Sequence, residues 1–108
     1  MTDLIRTIIS DFLAGDNAVI SPLADALDEA GDPRGRRLAA LWNYFHRRHP
    51  GVIRHYVDPI ITGDPYGNCP SCGSNELRRY HAHPFDCIAC GWRGYQPLIP
   101  LADAARPF

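Results

Sequence analysis

The sequence predicts an α+β protein, with a small N-terminal three-helix module followed by a three-stranded sheet built around four cysteines. Three observations carry this. Apolar residues recur with helical period in three short stretches before residue 50. Proline, glycine and aspartate stand at the ends of those stretches. Two copies of a C-x-x-C-G knuckle then follow, Cys69-Pro70-Ser71-Cys72-Gly73 and Cys87-Ile88-Ala89-Cys90-Gly91, with fourteen residues between Cys72 and Cys87.

In the first helix Leu4, Ile5, Ile8, Ile9, Phe12 and Leu13 recur in adjacent pairs every four residues, and Gly15 is its stop. Ser21-Pro22 reads as an N-cap with proline at the first helical position. Leu23, Ala24, Leu27 and Ala30 then form a second short helix, ended by Gly31. Asp32-Pro33 repeats the start signal. Leu38, Leu41, Trp42 and Phe45 follow at i, i+3, i+4 and i+7, and Pro50-Gly51 ends this third helix near His49. Each helix has one apolar stripe, so the three must bury those stripes against one another. Residues 50–65 are punctuated by Pro50, Gly51, Pro59, Gly63 and Pro65 and are expected to be an extended connector or short strand packed on the helices. Residues 66–97 form the cysteine unit, and 98–108 an apolar, proline-rich tail, either docked or frayed.

At 108 residues, 45% apolar and 21% charged, the chain has the length and balance of one soluble globular domain. This excludes wholesale disorder, collagen-like sequence, a disulfide-dense toxin scaffold and a large multidomain enzyme with its own cofactor fold. No apolar run approaches the ~18 residues of a membrane span, and the first apolar stretch lacks the basic start and cleavage site of a signal peptide. The expected compartment is the cytoplasm, where cysteines serve as metal ligands more readily than as disulfides.

Two residues between cysteines let a tight turn aim both sulfurs at one ion, and the glycine that follows takes the positive φ which the turn requires. Two such turns supply four thiolates in a tetrahedron at about 2.3 Å from the metal, a closed structural zinc site. Asn75–Tyr80 and Ala82–Asp86 are long enough for a hairpin, and Trp92–Pro97 for a third strand. Over residues 66–97 this resembles the zinc-ribbon family, and Cys69, Cys72, Cys87 and Cys90 match its ligand positions one by one. The Trp92-Arg93-Gly94-Tyr95 segment after the second knuckle is also common there. The resemblance implies one zinc ion per chain. Iron in a rubredoxin-like site is the alternative, because four thiolates suit it too; disulfides and a dithiol redox centre are further rivals. His81 and His83 lie near, but four cysteines already close the shell. At 32 residues the cysteine unit is below the ~40 at which a core alone usually suffices, so metal binding there would be folding energy.

The formal net charge of −1 hides an uneven spread. Residues 1–45 hold seven acids and four arginines, and residues 46–108 hold five acids and seven arginines. All eleven basic residues are Arg, the mark of a GC-rich genome. From Arg34 through Val57 there is no acidic residue, while Arg34, Arg36, Arg37, Arg47, Arg48 and Arg54 are interleaved with Trp42, Tyr44, Phe45 and Tyr56. Arginine among aromatics is the composition that meets phosphates and stacks on bases. The competing reading is a solvated helix face whose arginines pair with Asp25, Asp28 and Glu29 and complement the helix dipole. Arg78, Arg79 and Arg93 offer a second anion-binding patch, or simply soften the charge of a filled metal site.

Phe12-Leu13-Ala14 followed by Leu23-Ala24-Asp25-Ala26-Leu27-Asp28-Glu29-Ala30-Gly31-Asp32-Pro33-Arg34-Gly35 resembles the bacterial repeat-companion domain, whose pattern is close to L-A-D-W-L-E-E-x-G-D-P-R-G. The match covers about residues 9–42 and departs at Ala26, where the pattern has an aromatic, and at Asp28. It implies a helical interaction module of bacterial origin with no assigned catalytic residue. The function expected from the whole sequence is a non-enzymatic zinc-binding module that contacts nucleic acid or a nucleic-acid-associated complex. The alternative is a zinc-stapled protein–protein adaptor presenting Trp92, Tyr95 and the apolar tail. Catalysis is the least supported class, because the sequence holds no Gly-rich phosphate loop, G-x-S-x-G or H-E-x-x-H, and no small-molecule substrate or membrane contact is expected.

Overall fold

The computed structural model describes residues 3–63, 66–81 and 83–104. Helix α1 (Asp3–Leu13) buries Ile5, Ile9 and Phe12 and leaves Leu4 and Leu13 exposed. Its stripe is therefore the i, i+4, i+7 half of the predicted pairs. A single 3-10 turn (Asn17–Val19) follows, capped by the Asp16 carboxylate, which accepts the Ala18 N–H at 3.0 Å. This turn feeds directly into α2 (Ile20–Glu29), so Ser21 lies inside the helix and is not the cap expected from Ser21-Pro22. Gly31, with φ of 77°, turns the chain out of α2.

Helix α3 (Arg34–Arg48) starts one residue later than Asp32-Pro33 predicts, with Pro33 at the cap position, and the Asp32 carboxylate accepts the Arg34 N–H at 2.9 Å. Gly35 lets α3 approach α2 at backbone distance. A Cβ there would lie 2.8 Å from the Ala24 carbonyl oxygen and 2.9 Å from the Asp28 Cα.

Residues 53–62 correct the expectation of an extended connector. They form helix α4 (Ile53–Thr62) with Pro59 inside it and Gly63 as a left-handed C-cap. Ile53, Val57, Ile60 and Ile61 recur at i, i+4, i+7 and i+8 and are all buried. Burial of that stripe outweighs the one hydrogen bond that Pro59 removes. Four helices therefore enclose the main core, in which Ile9, Phe12, Ile20, Leu23, Leu38, Val57 and Ile61 are fully buried. Residues 64 and 65 of the expected connector lie outside the described residues.

The C-terminal third is a three-stranded antiparallel sheet in the order β1 (Leu77–Arg78), β2 (Phe85–Cys87), β3 (Arg93–Gly94). The strands are shorter than the segments that predicted them, and Ala82 of the expected second strand lies outside the described residues. Leu77 pairs with Cys87, and Asp86 lies opposite both Arg78 and Arg93. The tail docks: Leu98 bridges to Asn68, and the single turn α5 (Leu101–Ala104) places Leu101 fully buried in the helical core. Residues 105–108 lie outside the described residues. Among the described residues no helix is long and apolar enough to cross a membrane.

Candidate metal centre and basic face

Both knuckles close by the same backbone bond. The Gly73 N–H donates to the Cys69 carbonyl at 2.8 Å, and the Gly91 N–H to the Cys87 carbonyl at 2.9 Å. Both glycines have positive φ, 76° and 83°, as the motif requires. The turns bring four sulfurs together. Cys69 and Cys90 Sγ are 3.6 Å apart, as are Cys72 and Cys87 Sγ, and all four lie within 4.8 Å of one another. These are non-bonded distances, far from the ~2.05 Å of a disulfide, and all four cysteines are free. Four sulfurs about 2.3 Å from a tetrahedral centre are about 3.8 Å apart, so the cluster has the size for one ion and the donor set for a soft or borderline cation. Cys69 and Cys87 are buried against Leu77 and the half-buried Trp92 ring, whereas Cys90 is exposed.

The thiols differ in their acidity. Burial pushes Cys72 up to about 12 and raises Cys69, while a hydrogen bond from the Trp92 backbone draws Cys90 down to about 7. The Ser71 N–H also points at Cys69 Sγ, at 3.4 Å. A cation bound by the four thiolates would displace their protons and neutralise part of the crowded charge. His81 and His83 are exposed and outside the cluster.

Of the arginines named from sequence, Arg34 is placed quite differently from an anion contact. It is 5% exposed. Its guanidinium donates to Asp32 at 2.7 to 3.2 Å, to the Asn68 side-chain oxygen at 3.2 Å and to the Ile99 carbonyl at 2.8 Å. Asn68, the residue before the first cysteine, is fully buried and also donates to the Gly73 carbonyl. Gly73 in turn lies so close that a Cβ on it would stand 2.7 Å from the Arg34 nitrogen. Arg34 therefore clamps the helical part, the first knuckle and the tail together. Sequence reading missed Asn68; its only signal was its place between Gly67 and Cys69.

The remaining arginines fall into two groups. In the sheet, Arg93 and Arg78 flank Asp86 at 2.8 and 4.0 Å, and Arg79 donates to the His83 carbonyl while covering the Phe85 ring. Arg54 bonds to Asn17 and the Phe12 carbonyl and also meets Asp58, and Arg36 meets Asp28 at 3.6 Å. Arg37, Arg47 and Arg48 have no acidic partner among the described residues. Arg48 sits over the Tyr44 ring, 5.5 Å from its centroid. Beside it Phe45 stacks on Tyr56 with centroids 4.7 Å apart, and Tyr44 and Tyr56 are about half exposed. Tyr95 and Ile99 are exposed, Trp92 and Leu98 are half-buried and Leu101 is fully buried, so the apolar surface expected of an adaptor divides into a buried end and an exposed strip at Tyr95 and Ile99.

Fold and site together define an α+β protein with N-terminal helices and a C-terminal sheet holding a four-cysteine, metal-sized cluster. Set against known proteins, the chain matches no family model, no curated protein and no solved structure.

Proposed function

We propose that the protein is a non-enzymatic zinc-binding module that contacts nucleic acid. Residues 66–97 act as a zinc ribbon: Cys69, Cys72, Cys87 and Cys90 hold one zinc ion, which supplies folding energy and leaves no open coordination position for catalysis. The observation that carries the nucleic-acid reading is the acid-free stretch of α3 and the start of α4, where Arg37, Arg47 and Arg48 lack acidic partners among the described residues, Arg48 lies over the half-exposed Tyr44 ring and Arg37 shares a groove with Tyr44 and Tyr56. The ribbon arginines add less, because Asp86 and a backbone carbonyl already engage them.

The test is fluorescence polarisation of a labelled single strand and a labelled duplex at 50 and 200 mM salt. Three phosphate contacts on a single strand predict about a twenty-fold loss of affinity over that range. Affinity that ignores salt, or no binding near micromolar protein, contradicts the proposal.

A further inference from the structure

A groove of 410 Å³ runs between α3, α4 and the segment that enters β1. One wall is aromatic, formed by Tyr44, Phe45 and Tyr56; the other carries Asn75 and Glu76, and Arg37 lines the groove as well. Tyr56 has Phe45 on one ring face and is 48% exposed; Tyr44 is 54% exposed and meets the Arg48 guanidinium. Among the described residues the side chains of Arg37, Asn75 and Glu76 have no hydrogen-bond or ion-pair partner. The groove thus combines half-exposed tyrosine rings with an amide, a carboxylate and one guanidinium that have no partner among the described residues, and Arg48 lies over the Tyr44 ring that lines it.

We propose that this groove is a nucleobase pocket for single-stranded nucleic acid, taking a base with an exocyclic amino group. The inference rests on the nucleic-acid reading above and specifies its site. The tyrosine rings stack on the base, as sequence-tolerant single-strand binders do. The Glu76 carboxylate accepts from the exocyclic amine, and the Asn75 amide bonds to the neighbouring edge atoms. Arg37 and Arg48 meet the flanking phosphates. A keto base such as thymine would set an oxygen against the Glu76 carboxylate. Apart from Glu76, the residues that line the groove are neutral or basic, which suits a polyanion.

The experiment uses the full metal-loaded chain and three fluorescein-labelled strands of equal length: oligo-dC, oligo-dT and an abasic strand. Oligo-dC should bind best and the abasic strand at least about tenfold more weakly. Glu76→Gln should erase the preference for dC over dT. Arg48→Gln should weaken all three strands alike and flatten the salt dependence by about one phosphate contact. Tyr56→Leu should bring oligo-dC down towards the abasic strand; if that variant loses its helical circular dichroism, Tyr44→Ala, at a more exposed ring, serves instead. Equal binding of oligo-dC and the abasic strand overturns the pocket but leaves backbone contact standing. No salt-sensitive binding of any strand overturns both.

Discussion

Arg34 shows how far a residue's neighbours decide its role. In a run of arginines it looks like one more anion contact, yet it is buried and satisfied by Asp32, Asn68 and Ile99. Replacing it with methionine strands a carboxylate and an amide in a nearly dry joint. We predict a loss of about 3 kcal/mol in urea denaturation. Arg34→Lys should recover little of it, since an ammonium cannot reproduce the fork that reaches three partners. Arg36→Gln, which removes only an exposed pair, should stay within about 0.5 kcal/mol of the parent. A second prediction concerns Gly73. Its φ of 76° and its contact with the Arg34 backbone leave no room for a Cβ. Gly73→Ala should therefore both destabilise the fold and weaken metal retention in a chelator competition. Gly91→Ala, whose Cβ would meet nothing within 4 Å, should carry only the cost of its positive φ.

Among the elements, α4 and the knuckles mark the two extremes of what the sequence reveals. The knuckles are legible because ligand spacing is covalent: two residues between cysteines and a glycine after them dictate the turn wherever it occurs, and the four sulfurs assemble as that spacing implies. The first three helices are legible from periodicity, because their ends carry Gly15, Gly31 and Asp32-Pro33. Helix α4 was hidden by Pro59, whose local effect points away from helix while Ile53, Val57, Ile60 and Ile61 point towards it. Tertiary burial decided between them, and burial is not written in local propensity. The Arg34 clamp was hidden for the same reason, because a charge run does not say which of its members faces inward. Pro59→Ala should raise stability by about 1–2 kcal/mol, read as a shift in the denaturation midpoint at constant slope. If Pro59 instead holds its helix in place through packing, the substitution will lower the midpoint.

On the scale of the whole molecule, the ties between the helical core and the cysteine sheet among the described residues include three. Arg34 meets Asn68, Gly73 rests on the α2–α3 joint, and the tail returns from the sheet to bury Leu101 among the helices. The sheet has few apolar residues of its own: Leu77, Cys69 and Cys87 form its small core, with Cys72 and Trp92 against it. A core of that size does not order some thirty residues alone. Metal removal should therefore release the sheet and loosen α5 together, while α1 to α3 keep their helical signal. Hydrogen exchange before and after chelation would show this as protection lost at Asn68, Cys87 and Leu98 and retained at Ile9 and Leu38. The most direct test of the account is elemental analysis together with native mass spectrometry of the protein purified under reducing conditions. One zinc ion per chain, lost in the Cys69→Ser and Cys87→Ser variants, is the predicted result. A metal-free folded chain, a chain carrying two disulfides, or a coloured protein carrying iron would contradict it.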